Sequence, residues 1–156
     1  MTQWRMSFRA GNQGQEMWPR CKMMGIAAIT YEALSEVDLS KYQQGEPRAG
    51  WDRLESSQKF SLKSVVYEMK QGDVIYVKQG PQIVCRGIVQ GSYQFDETFA
   101  LRDHFGVAWP HHVPVAWERN FLPARLLLGA EPSTVKRLTE ENIVQLEKEF
   151  GVIKNA

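Results

Sequence analysis

The chain has 156 residues, 43% of them hydrophobic, and 19 Lys+Arg against 18 Asp+Glu leave a formal charge of +1. That length suits one domain with a sizeable core, and the near-zero balance excludes a globally basic nucleic-acid binder, so any phosphate affinity must come from a local patch. No apolar run approaches the ~20 residues that span a bilayer, MTQWRMSFRAG lacks a signal core, and Cys21 and Cys85 do not make a disulfide scaffold; a soluble, reduced, cytoplasmic protein is expected.

Trp4 to Phe8 (WRMSF) reads as an opening strand, and Arg9 to Gln15 (RAGNQGQ) as a glycine-broken loop. Met17 to Met24 suits a short helix starting near Pro19, since proline is tolerated in a first turn. Gly25 to Tyr31 (GIAAITY) reads as a buried strand, and Glu32 to Gly50 as a long polar excursion of a kind that is often functional in a compact domain. The strongest local pattern predicts a helix from Ser57 to Met69, with Leu62, Val65, Val66 and Met69 at i, i+3, i+4 and i+7. Ser56 or Ser57 would cap it and Gly72 would stop it. Lys59, Lys63 and Lys70 fall within ~40° of one another around that helix and form a basic stripe.

Asp73 to Lys78 and Ile83 to Gln90 read as strands with little polar alternation, so both faces should be covered. Gly80-Pro81 makes the turn between them, and Gly87 and Gly91, on one face, allow a close backbone approach or a bend. Val113 to Trp117 is a third strand and Ala124 to Leu128 a fourth. Thr139 to Phe150 is a terminal helix burying Ile143, Leu146 and Phe150, with Gly151 as its stop. The mixture is α+β, a single domain over 1–156 with 133–156 as a C-terminal helical extension.

Trp51 and Trp109 sit in turn-like contexts, PRAGWDRL and FGVAWPHH, where a large aromatic ring has a better claim on a pocket wall than on the core. Base–aromatic stacking contributes ~1–3 kcal/mol per base. Trp4 and Trp117 sit on strands and read as core. His104, His111 and His112 lack the convergent spacing of a zinc site, and adjacent strand residues point to opposite faces; His111 or His112 could contact a phosphate or a base edge instead. Arg9, Asn12, Gln13 and Gln15 offer groups able to read base edges, whereas Glu32, Glu36 and Asp38 read as a solvated acidic loop. No Gly-x-Ser-x-Gly elbow or Walker loop occurs in the sequence, and the cysteines lie in apolar runs, where thiols are usually inert. Neither a catalytic residue nor a metal or cofactor is expected.

The order of these pieces is what is distinctive: Trp4 on a first strand; Trp51 before a helix in GWDRLESSQKFSLKSVVYEMK; Met-Lys-x-Gly-Asp entering a hydrophobic strand; a glycine in IVCRGIVQGSYQF; and W-x-x-x-V-x-V-x-W from Trp109 to Trp117. Over most of residues 1 to 128 this resembles the EVE/YTH branch of the PUA-like superfamily, with Met17 to Tyr31 looking like an insertion and Gly106 to His112 a departure. The resemblance implies a small twisted β-barrel with flanking helices and a non-enzymatic reader of a flipped or unpaired, methylated nucleobase in DNA or RNA. Such readers include the specificity modules of McrB-type restriction systems, so a nuclease or NTPase partner is implied too.

Carried over by resemblance, Trp51 and Trp109 sandwich the base. Trp18, Tyr31, Tyr76 and Tyr93 are candidates for a third wall, with Trp18 entering the base-binding set, and Asn12 or Asp52 reads the polar edge. Lys59, Lys63, Lys70, Arg86 and His111 are the candidate phosphate contacts. The ASCH branch of the same superfamily implies a rival: an amidohydrolase using Lys78 with Glu68 or Asp73. A third reading is a protein-interaction adaptor working through the C-terminal helix.

Overall fold

A computed structural model describes residues 1–10, 15–43, 50–129 and 133–153. In chain order the elements are β1 (Gln3–Met6), β2 (Arg9–Ala10), β3 (Gln15–Glu16), α1 (Trp18–Met24), β4 (Ile26–Ile29), α2 (Ser56–Lys63), β5 (Val74–Gln79), β6 (Gln82–Val89), β7 (Gln94–Phe95), β8 (His111–Trp117), β9 (Ala124–Arg125), β10 (Val135–Arg137) and α3 (Glu140–Phe150). Short 3-10 turns at Glu32–Leu34 and Leu39–Lys41 lie in the polar excursion, and a third at Trp51–Arg53 follows it.

The fold is α+β: a curled, half-barrel sheet in the order β10-β1-β5-β6-β8-β4, with β7 added to β8 and β9 to β6. The β1–β5 pair is parallel and the others are antiparallel. A register shift between Val77 and Lys78 bends the central hairpin, as an irregularity in one strand of a pair does. Gly87 pairs with Trp117. A Cβ there would lie 2.6 Å from both the Trp117 ring and the Val115 side chain, so the expected close approach is real and needs glycine.

The two-sided burial expected of the central strands is observed. Ile75, Val77 and Cys85 enter the main core with Trp4, Phe8, Leu62 and Val65. Val74, Tyr76 and Ile83 face the other way, into a second core closed by Leu128, Leu138 and Leu146. Both cysteines are buried and free, and burial pushes the Cys21 thiol up to about 12.

Three of the differences from expectation have local reasons. Glu55, not a serine, caps α2: its side chain accepts from the Gln58 backbone, and the Gln58 side chain accepts from Glu55 N–H at 2.9 Å. The expected helix to Met69 becomes a π-helical turn over Ser64–Glu68, closed by Met69 N–H on Ser64 O at 2.8 Å, and ends before Gly72. Residues 133–156 do more than extend the chain helically: Val135–Arg137 pairs antiparallel with β1 and forms the sheet edge. Among the described residues, no helix is long and apolar enough to cross a membrane.

Candidate functional site

A cleft of about 630 Å³ opens where the end of β4, the first turn of α2 and the loop before β8 converge. β4 leads into Ile29, Thr30, Tyr31 and Glu32; α2 brings Glu55, Ser57 and Gln58; the loop brings Asp103, Phe105, Val107 and Trp109, with Arg9 and Thr134 completing the wall. Tyr31, Phe105 and Trp109 are its aromatic rings. Trp109 is 4% exposed and Phe105 62% exposed, so one ring is embedded in the wall and the other stands out from the rim.

Asp103 builds the loop. Its Oδ1 accepts from the backbone N–H of Phe105 at 2.9 Å and of Val107 at 3.1 Å, and its Oδ2 accepts from the Trp109 indole at 2.9 Å. Gly106 at φ +83° closes the turn with its N–H on Asp103 O. One buried carboxylate therefore sets the position of two of the three rings. The signal was present in the sequence as Asp-x-x-Gly (Asp103 to Gly106), an ordinary turn pattern.

The opposite wall is tethered too. The Tyr31 hydroxyl reaches Thr134 Oγ1 at 3.5 Å, and burial raises its phenol. Thr30 Oγ1 is buried with no hydrogen-bond partner among the described residues. A shallower cleft of about 460 Å³, lined among others by Met24, Phe95, Leu101 and His112, also borders Trp109.

The structure redistributes the site residues expected from sequence. Trp109 lines the cleft, and so does Tyr31, one of the third-wall candidates. Trp51 does not line it; half-buried, it packs against the main core. The preceding Gly50, at φ +87°, lies so close to the Ala33 carbonyl that a Cβ would collide with it. Asp52 is exposed and Asn12 lies outside the described residues. Glu32, read as part of a solvated loop, is a cleft residue that sequence reasoning missed.

Three expected ligand contacts are corrected. Trp18 is core: it stacks tilted on Phe8 at 5.5 Å and edge-on against Trp117 at 4.7 Å. Arg86 is buried and committed, donating to Glu118 at 2.7 Å, Gly151 O at 2.6 Å and Phe150 O at 3.1 Å, so it staples the end of α3 to the sheet. His111 is fully buried between the Tyr93 hydroxyl at 2.7 Å and Leu34 O at 2.8 Å. Burial pulls its pKa down to about 4, so it is neutral at pH 7 and is no phosphate contact.

The lysine stripe does not gather at the cleft. Lys59 stands one turn beyond Glu55, on the same helix face. Lys63 pairs with Glu68 at 3.7 Å. Lys70 is exposed and follows the π-helical turn that ends at Glu68, at the end of the segment away from the cleft residues Glu55, Ser57 and Gln58.

The groups of the hydrolase reading are likewise separated. Asp73 and Lys78 lie at opposite ends of β5, roughly 16 Å apart at ~3.3 Å per residue. Asp73 is buried and accepts from the Trp4 indole at 3.1 Å and Thr2 N–H at 2.9 Å. Glu68 is held by Arg137 at 2.8 Å. Burial, with Arg5 nearby, lowers the Lys78 pKa. Among the described residues, no group of three or more His, Cys, Asp or Glu side chains could hold a metal ion.

A family model described as a domain of unknown function, DUF8426, matches residues 4–146. The chain belongs to the DUF8426 family. The DUF8426 match contains every residue that lines the larger cleft, from Arg9 to Thr134, and leaves the last turn of α3 outside. None of the curated proteins matches the sequence. Among solved structures, the chain is similar to the NMR structure of Rpa0253 from Rhodopseudomonas palustris, at 17% identity and a TM-score of 0.48, covering 99% of this chain and 97% of that one.

Proposed function

We propose that this chain is a PUA-like binding module, of EVE/YTH type, that accepts one unstacked, modified nucleobase of DNA or RNA in the larger cleft. The supporting observation is the cleft itself: about 630 Å³, with three aromatic side chains and a few convergent polar groups in its lining. Small-molecule sites are of this size and character. The original pairing of Trp51 with Trp109 gives way to Tyr31, Phe105 and Trp109. Extruding a base costs a few kcal/mol; stacking at ~1–3 kcal/mol per base offsets that only if the base edge also finds hydrogen bonds. Ser57, Gln58 and Thr134 offer them. Arg9 in the wall and Lys59 beyond it are the cations that would meet the strand.

The test is a fluorescence titration with single-stranded oligonucleotides that differ only in one central base, unmodified or methylated. The parent should bind the methylated strand more tightly, and binding should weaken as salt rises. Tyr31→Ala should weaken it roughly 5- to 100-fold, the loss of one stacking partner. Equal affinity for modified and unmodified strands, or none for either, sinks the proposal.

A further inference from the structure

We infer that the cleft selects a cationic methylated base carrying an exocyclic amine, such as N1-methyladenine, over its neutral isomers. The inference rests on the base-binding reading above and is carried by the charges around the aromatic rings. Among the described lining residues Glu32, Glu55 and Asp103 are acidic and Arg9 alone is basic. Asp103 has both oxygens occupied by Phe105, Val107 and Trp109, so it shapes the loop. Glu32 and Glu55 are exposed at the rim, one after β4 and one at the start of α2.

That arrangement suits a particular ligand chemistry. A ring whose positive charge is delocalised is attracted to the faces of the half-buried Tyr31 and the exposed Phe105, as cations are to aromatic rings, with the buried Trp109 backing the wall. Its amine N–H groups are donors, and the rim groups of greatest charge are carboxylate acceptors: Glu32, and Glu55 through the acceptor capacity left over from capping α2. A phosphate or other anion at the same rim meets two like charges, so the backbone is kept outside, toward Lys59, which lies beyond the cleft lining. A neutral methylated base gains the stacking and forgoes the charge pairing.

The experiment compares two isomers that carry the same methyl group on the same base. Single-stranded oligonucleotides with one central N1-methyladenine, N6-methyladenine or adenine are titrated into the full chain at pH 7 by calorimetry. The N1-methyl strand should bind at least about tenfold more tightly than the N6-methyl strand. The double variant Glu32→Gln/Glu55→Gln keeps acceptor oxygens at the α2 cap and at the rim but removes both charges. In it the preference should fall below about threefold. Circular dichroism establishes that the variant is folded. If the N6-methyl strand binds as tightly as the N1-methyl strand, or the double variant keeps the parent's preference, the charge inference is wrong while base binding stands. If neither methylated strand binds better than adenine, the base-binding reading fails and this inference with it.

Discussion

The Asp103 carboxylate and the Trp109 indole meet at 2.9 Å inside the wall of the larger cleft. This contact couples the two ends of one loop, and it makes Asp103 a positioning residue for the rings on either side. Asp103→Ala would leave the Trp109 indole and the backbone N–H groups of Phe105 and Val107 without their acceptor. Unmet buried donors cost about 1–3 kcal/mol, so urea unfolding should show a loss of about 2–3 kcal/mol. Asp103→Asn should fall between, because its amide oxygen can serve the backbone donors only by turning its NH2 toward the indole N–H. Near-UV circular dichroism should change in both variants. An unchanged spectrum and midpoint for Asp103→Ala would show that the loop is held by something else.

Phe105 separates stability from binding. Its ring is exposed and contributes nothing to either core. Phe105→Ala should therefore leave unfolding within about 0.5 kcal/mol of the parent, while weakening capture of the preferred oligonucleotide by about 1 kcal/mol or more. A variant that binds normally would remove Phe105 from the ligand wall.

How much of this was legible beforehand depended on whether a residue's role is local. The runs at β5 and β6 announce two-sided burial, because apolar side chains fall on both faces of each strand. For Trp109, in a Gly/Pro-rich loop, context alone favours a cavity wall over the core; the ring borders both clefts and is also buried in the main core. Arg86 and His111 could not be placed that way. Strand position says which face a side chain takes, but not that the end of α3 arrives above Arg86 or that Leu34 O arrives against His111. Glu32 failed for the same reason: its own neighbourhood is polar, and only the approach of α2 turns it into a cleft wall. The edge strand β10 is three residues long, too short for any alternation to show.

Arg86 tests the structural reading against the sequence-based one. As a staple it holds Glu118 and the Phe150 and Gly151 carbonyls at once. Arg86→Met should cost about 2–3 kcal/mol, since hydrogen bonds to charged groups are stronger than neutral ones and Glu118 keeps partial access to water. Thermal melting should show the loss, with α3 detaching first in hydrogen exchange. Were Arg86 a phosphate contact, its removal would instead leave stability alone and reduce the salt dependence of oligonucleotide binding by about one unit of slope.

His111 predicts the direction of acid sensitivity. Leu34 O can only accept, so Nε2 carries the proton and donates, and Nδ1 accepts from the Tyr93 hydroxyl. Tyr93 in turn accepts from Leu39 N–H at 3.3 Å, so the chain of bonds ties the 3-10 turns at Glu32–Leu34 and Leu39–Lys41 to β8. Burial opposes a second ring proton, which is why the pKa falls from 6.5 to about 4. The unfolded chain takes up a proton near pH 6.5 and the folded one does not until about pH 4, so this contribution is complete above 6.5 and shrinks as pH falls between those values. Between pH 7 and pH 5 it should cost about 2 kcal/mol of unfolding free energy. Urea titrations of the parent and of His111→Gln at both pH values isolate the effect, because the carboxylates titrate alike in each. The parent should lose about 2 kcal/mol more than the variant over that interval; equal slopes would mean that His111 is not held neutral.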